Sequence, residues 1–374
     1  LNKKLHILFI SSWYPSRVFP SNGDFVQRHA EAVASKHNVT VIHVVTDANL
    51  KYPQYLSTKT NTILTNLVYL PKYSNPALKL FHFFKAYLSI IKKIKNVDLV
   101  HVNITYPVGI VALYLKWIYK KNYLISEHWS GYLTPNNKSI GVFQKLITKI
   151  ILKNASFICP VSNNLKTEMI NFGLKGNYFP VPNVVNTSFF KPSKINLEKF
   201  IITHISGMDN SIKNIEGILH VVSKLQSKIP NLEFNLIGEK SKKYTPLIKE
   251  LKIKNINIID FVPHNEVANY LSKSNVFILF SNYENLPCVI LESFACGTPV
   301  ISTDVGGVKE YFPKNFGYLI KPKDEINLEK SILKIYNKEI NIDKTHMHNF
   351  AEKNFGIETI SNTFSKLYFK ILNN

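Results

Sequence analysis

Short apolar runs alternate with longer amphipathic stretches along almost the whole chain, and this rhythm breaks off once and then resumes. In the first half Leu5–Ser11, Val39–Val45, Asn66–Leu70, Leu99–Val102, Tyr123–Ser126 and Phe157–Pro160 read as strands. Phe25–Lys36, Leu78–Lys95, Gly109–Lys120, Gly141–Leu152 and Asn163–Phe172 fit helices between them. Such alternation implies a parallel sheet, because parallel strands need crossovers that cover the sheet faces.

The rhythm resumes with strands at Phe200–Ile205, Glu233–Gly238, Ile256–Phe261, Val276–Phe280 and Pro299–Ser302. Helices are expected near Ile215–Lys228, Thr245–Lys252, Asn265–Ser272 and Pro287–Ala295. Between the two sets, PVPNVVNTSFFKPSK (180–194) is rich in Pro and Asn, lacks periodicity and reads as a linker. The chain is 374 residues long, too long for one core. The expected fold class is therefore α/β, with two doubly wound, Rossmann-like domains, 1–185 and 186–356, facing each other across a cleft. In such sheets ligands bind at the carboxyl ends of the strands. A last helix, Ile357–Leu372, has no home domain on periodicity alone.

The net charge of +21 is uneven. Residues 1–187 hold 22 Lys/Arg against 6 Asp/Glu, and residues 188–374 hold 24 against 19. A basic first half faces something anionic, although a chain rich in Lys, Asn and Ile also carries compositional bias. Cys159, Cys288 and Cys296 are too widely spaced for a disulfide framework or a zinc site, which fits a reducing, cytoplasmic setting. The opening LNKKLHILFISSWYPS imitates a signal peptide, but His6 interrupts it and no small-x-small cleavage site follows, so it reads as a buried strand. No run approaches the roughly 18 apolar residues of a membrane span, and membrane contact is expected to be peripheral.

Two segments carry candidate chemistry. In WYPSRVFPSNGDF, Gly23 permits close backbone approach, and Asp24 with Gln27 has capping-box spacing, which starts a helix near Phe25. A helix start of this kind attracts phosphate. In FILFSNYENLPCVILESFACGTPVIST a strand leads to a polar loop with Glu284, and a helix opening at Pro287 carries Glu292 in its second turn. On one helix these carboxylates would stand about 80° apart; with Glu284 in the loop, both can face one ligand. Helix-start amides suit a diphosphate and carboxylates suit sugar hydroxyls.

The Glu284…Glu292 pair within ENLPCVILESFACGTPVI resembles the E-x7-E signature of retaining glycosyltransferases of family 4, which have the GT-B fold. The resemblance extends to NGDF with QRHAEAVA, Ser126–His128, Val161-Ser162, Pro182–Pro192, Lys213-Asn214, Leu236–Gly238, Phe261–His264 and the closing FGIETI. It implies that Glu292 holds ribose hydroxyls and Glu284 hydroxyls of the transferred sugar. The backbone of Leu286, Cys288 and Val289 would meet sugar and phosphate, and Lys213 would neutralise the diphosphate. Phe261, Val262 and Pro263 would frame the base, Gly23 would let the first loop close, and His128 would contact the sugar at the reaction centre. Arg17, Asn22, Asp24 and Arg28 fall on the acceptor side, and the last helix returns to the first domain.

Two positions depart from the family pattern. Met208 stands where arginine is usual, so one phosphate cation is missing, or is supplied by Arg17, or is replaced by donors from Asn210 and Ser211. Asn186 replaces a usual aspartate, which bears on loop structure. With no Asp-x-Asp motif, neither a metal nor another cofactor is expected. His128 by its spacing alone reads more readily as a structural hydrogen-bonder than as a functional group, Cys288 as packing, and His346 and His348 are too isolated for a metal site.

The implied activity is transfer of a hexose or N-acetylhexosamine from a nucleotide diphosphate sugar to a saccharide or lipid-linked glycan in bacterial surface polysaccharide or glycolipid synthesis. The setting would be the inner face of the cytoplasmic membrane. The amphipathic stretch Leu78–Lys95 is either packed on the sheet or laid on an anionic bilayer, and Lys138, Lys145, Lys149 and Lys153 add a basic stripe. Alternatives are another nucleotide-sugar enzyme, an epimerase or a phosphorylase, and, more remotely, a basic nucleic-acid-binding protein.

Overall fold

The computed structural model describes residues 3–60, 62–134, 136–193 and 198–373. Leu1 and Asn2 of the first expected domain, Lys194 of the expected linker and Asn374 at the end lie outside them. The chain divides into two compact units, Leu1–Val184 with Ile357–Asn374, and Val185–Gly356.

The first unit runs β1 (His6–Ser11), α1 (Asp24–Ala34), β2 (Asn38–Thr46), β3 (Gln54–Lys59), β4 (Ile63–Leu70), α2 (Pro76–Ile91), β5 (Leu99–Asn103), α3 (Gly109–Tyr119), β6 (Tyr123–Glu127), α4 (Val142–Asn154), β7 (Phe157–Pro160) and α5 (Asn163–Asn171). The second runs β8 (Phe200–Ile205), α6 (Asn210–Lys213), α7 (Ile215–Leu225), β9 (Leu232–Ile237), α8 (Thr245–Glu250), β10 (Ile256–Ile259), α9 (His264–Lys273), β11 (Val276–Leu279), α10 (Cys288–Ala295), β12 (Val300–Thr303), β13 (Gly317–Ile320), α11 (Glu325–Tyr336) and α12 (Lys344–Phe355). The closing helix is α13 (Ile357–Leu372).

The first sheet has the order β3-β4-β2-β1-β5-β6-β7 and the second β10-β9-β8-β11-β12-β13. Every pairing is parallel except β3 with β4. Strand β3 escapes the sequence reading because all six of its residues are exposed, so it has no apolar alternation. Helices α1 and α13 pack together, and Ile360, Phe364, Leu367, Tyr368 and Ile371 enter the core of the first unit with Phe9, Val41 and Leu124. At about 1.5–3 kcal/mol per large apolar side chain, this burial anchors α13 there.

Helix α2 starts and ends earlier than its periodicity predicts. Asn75 accepts the amides of Ala77 and Leu78, and Pro76 follows as the first helical residue. Its second half packs inward through Ala86, Tyr87 and Ile90, whereas Leu78, Leu80 and Phe81 are exposed.

Candidate active site

In the second sheet the chain steps from β8 to β9 to β10, then returns to the other side of β8 to lay down β11, β12 and β13. The reversal lies between β8 and β11, the place at which open α/β sheets bind ligands. The loops leaving β8 and β11 both carry motif residues. Lys213, at the end of α6, reaches Glu284 beyond β11, with Nζ donating to Oε1 at 2.5 Å. Ser281 Oγ donates to the same oxygen at 2.6 Å. Glu284 is 9% exposed, so water screens the pair only weakly. The loop after β12 supports this backbone from behind, with Gly307 N donating to Asn285 O at 2.8 Å. Gly306 has φ +57°, and a Cβ there would fall 1.9 Å from Glu284 O, so only glycine fits.

Glu292 lies in the second turn of α10 and is buried. Its Oε1 is 2.8 Å from His264 Nε2, at the first residue of α9. The ring of Phe190 lies 5.0 Å from that imidazole. Helix α10 opens at Cys288, one residue later than expected, because Pro287 adopts extended angles (φ −70°, ψ 122°) and becomes the cap. Leu286 is buried and Cys288 and Val289 are half-buried at this helix start. Strand β10 ends at Ile259 rather than Phe261, since Asp260 accepts from Ser241 Oγ and Lys242 N and turns the chain. Phe261 is consequently exposed, with half-buried Val262 and exposed Pro263 following.

Met208 is buried in the core of the second unit, so the position where arginine is usual supplies packing and no charge. Asn210 and Ser211 shape the local turn: Asn210 Oδ1 accepts Glu216 N at 3.0 Å, and Ser211 Oγ donates to Asp209 at 2.7 Å. Asn186 likewise organises its loop, accepting from Ser188 N and Oγ.

In the first sheet the reversal lies between β1 and β5. The loop after β1 is tied to β5, with Ser12 N donating to Asn103 O at 3.1 Å. Gly23 (φ +75°) approaches its own loop: a Cβ would fall 2.5 Å from the Trp13 carbonyl carbon. The expected capping box does not form. The left-handed glycine starts α1 at Asp24, whose carboxylate pairs with Arg28 at 2.6 Å, while Gln27 donates to Glu31. Asn22 N bonds Phe19 O. Arg17 is engaged by Asp47 at 2.9 Å, Gln54 at 2.8 Å and the Tyr69 ring face, so its charge is already balanced within this unit.

Buried Glu127 accepts from Thr105 N and Oγ1 and from the amides of His128 and Trp129. Burial nevertheless raises its pKa, outweighing these four bonds. The adjacent His128 ring stacks on Phe25 at 4.4 Å and lies 5.1 Å from His29, with Asn183 beside it. Burial, with His29 and His101 nearby, holds its pKa well below the ordinary value, so the imidazole is neutral near pH 7. Among the described residues no group of three or more His, Cys, Asp or Glu side chains is placed to hold a metal ion. His348 bonds Ala295 O, and His346 packs edge-on against Phe316.

Sequence reading missed three contributors, His264, Ser281 and Gly306. His264 and Ser281 stand inside motifs already singled out, and Gly306 follows a strand end in a Gly-Gly pair.

The family model described as "Glycosyl transferases group 1" matches residues 185–354, and "Glycosyltransferase Family 4" matches residues 24–189. An uncharacterised glycosyltransferase of Methanocaldococcus jannaschii is 25% identical over 331 residues, 87% of this chain and 88% of the relative. A putative teichuronic acid biosynthesis glycosyltransferase of Bacillus subtilis is 25% identical over 253 residues, 65% of this chain and 62% of the relative. Among solved structures, Anabaena HepE in complex with UDP superposes with a TM-score of 0.76 at 16% identity, covering 98% of this chain and 100% of that one. No helix among the described residues is long and apolar enough to cross a membrane. Adjoining family matches across both units, a relative aligned along most of its length and a shared GT-B architecture lead to one conclusion: the chain belongs to the family 4 glycosyltransferases and is a sugar-transferring enzyme.

Proposed function

We propose that the enzyme transfers a hexose or N-acetylhexosamine from a nucleotide diphosphate sugar to a saccharide or lipid-linked glycan, with retention at the anomeric carbon and without a metal. The observation that carries this reading is the meeting of Lys213 and Glu284 at the strand-order reversal of the second unit. Breaking a glycosyl–diphosphate bond places negative charge on the leaving phosphate, and stabilising that charge is the largest catalytic contribution such a site can make. Lys213 supplies the cation, held by Glu284, which Ser281 in turn orients, until the diphosphate competes for it. The amino end of α10 adds its dipole.

Glu284 then serves the hydroxyls of the transferred sugar, and Glu292, oriented by His264, takes the ribose hydroxyls. Leu286, Cys288 and Val289 line the phosphate and sugar, and Phe261–Pro263 and Asn210 flank the nucleotide. His128, being neutral, acts as a hydrogen-bonding group and carries no charge. In front-face transfer the bond from the anomeric carbon to the phosphate breaks as the acceptor oxygen bonds that carbon from the same side. The acceptor proton passes to the leaving phosphate. The UDP complex of HepE makes uridine diphosphate sugars the first donors to try. The teichuronic acid relative and the basic first half support a surface-polysaccharide or glycolipid acceptor at the inner face of an anionic membrane.

The test is product analysis with labelled nucleotide sugars and saccharide acceptors, with and without chelator. Transfer with an unchanged anomer supports the reading. An epimerised sugar, a sugar phosphate or an inverted linkage overturns it.

A further inference from the structure

Helix α4 is packed along one side only. Thr148, Ile151 and Leu152 are buried, Tyr123 Oη donates to Ile151 O at 2.6 Å, and Lys116 Nζ donates to Asn154 O at 2.6 Å. These contacts pin the helix to β6 and α3. Its other side presents Val142, Phe143, Leu146 and Ile150 at 77%, 73%, 54% and 47% exposure. At 3.6 residues per turn the four fall in one sector of roughly 100°. Lys153 projects from the same sector, Lys149 lies at its edge, and Lys145 stands beyond, over the Phe172 ring. A row of large apolar side chains held in water by a helix that is otherwise anchored calls for an apolar partner.

Charge identifies the partner. Between Asp98 and Glu168 the sequence has eight lysines and a single acid, Glu127, which is fully buried. The surface built by this stretch therefore offers cations with no competing carboxylate. A second copy of the chain would bring the same cations to the contact. A nucleic acid would leave Phe143 and Val142 in water. A bilayer with anionic headgroups satisfies both parts, since apolar tips enter the acyl boundary while lysines reach lipid phosphates.

We propose that the outward face of α4 docks the enzyme on an anionic phospholipid bilayer. This rests on the membrane-side reading of the acceptor given above and names the surface responsible. Leu78–Lys95, the stretch whose amphipathicity first raised a membrane role, enters the core only in its second half, through Ala86, Tyr87 and Ile90, while Leu78, Leu80 and Phe81 stay exposed.

The test is flotation of the full chain with phosphatidylcholine vesicles, with and without phosphatidylglycerol, over a salt series. The wild type should float with anionic vesicles only and be released by salt. Phe143→Asp with Leu146→Asp should weaken vesicle binding by about tenfold or more. Lys149→Ala with Lys153→Ala should weaken it about fivefold or more. Both variants should keep the wild-type melting temperature, because the altered side chains are exposed, and should transfer sugar to a water-soluble acceptor at the wild-type rate.

Unchanged flotation of the variants, or no flotation of the wild type at low salt, overturns the proposal. So does a dimer, seen by light scattering, that the Asp variant dissolves without altering flotation. Normal flotation of a chain that transfers no sugar overturns the proposed activity alone; normal transfer to the soluble acceptor without flotation overturns the docking surface alone.

Discussion

Around the first sheet the buried ionisable groups are mostly histidines, with Glu127 among them and the Arg17–Asp47 and Asp24–Arg28 pairs in the outer loops, whereas at the reversal of the second sheet a lysine and a buried carboxylate meet as an ion pair. His29 and His43 of the first unit have pKa values lowered to about 4 by burial. His37, His101 and His128 are lowered for the same leading reason. The second unit has one counterpart among the described residues, His204, at about 4. Surface charge differs in the same sense. Lys116 and Lys121 of the first unit bond to backbone carbonyls, while Lys199 and Lys228 of the second pair with Glu233 and Glu329. One topology thus supports an interior rich in neutral histidines beneath a cationic surface in one unit, and more evenly matched charge, with the Lys213–Glu284 pair beside the strand-order reversal, in the other. Under the proposed function it is the second arrangement that receives the diphosphate.

The most demanding test of this contrast is acid. A histidine whose folded pKa is about 4 stays neutral in the fold while the unfolded chain takes up a proton near 6.5. Its contribution is therefore complete above about pH 6.5 and is lost as pH falls toward 4. Each fully shifted, buried histidine contributes about 3 kcal/mol to that loss. Hydrogen exchange followed from neutral pH down to about pH 4.5 should show the first unit losing protection before the second; simultaneous loss would erase the distinction.

Next in size is Glu284→Ala, expected to lower kcat by about a hundred- to a thousandfold while circular dichroism stays unchanged. Near-normal turnover would remove the Lys213–Glu284 pair from the chemistry. Gly306→Ala comes third, at about 2–3 kcal/mol of lost stability, since a methyl group must displace the Glu284 carbonyl and the backbone is left-handed there. Thermal denaturation measures this, and an unchanged melting temperature would show that the loop yields easily. The smallest effect is expected for His264→Gln, about a fivefold rise in donor KM at nearly constant kcat, because an amide can still hold Glu292. A fall in kcat with unchanged KM would instead place His264 at the reacting atoms.

Periodicity located both sheets because each buried strand is a short apolar run and each covering helix repeats at 3.6 residues. Other elements stayed hidden: β3 is exposed along its length, β13 opens on Gly317 and is half-buried at Tyr318 and Leu319, and α11 and α12 were missed, although α11 buries Leu328, Ile332 and Ile335 at helical spacing. Caps were read less well. Asp24 and Gln27 have the right spacing for a capping box, yet the left-handed backbone at Gly23 moved the helix start by one residue and turned both side chains to other partners. Met208 shows a similar limit, since a departure from a family pattern reads as a lost charge until the side chain is seen in the core.

Local pattern by itself determined two α/β units, the break between them, and the order of motifs that identifies a family 4 glycosyltransferase. It could not determine which charges meet. Lys213 and Glu284 are 71 positions apart and His264 and Glu292 are 28 apart, and nothing in either neighbourhood encodes the other. They are joined because the chain lays β11 beside β8 after building β9 and β10 on the far side. Strand order is a property of the whole sheet, set by crossovers and packing rather than by any short segment.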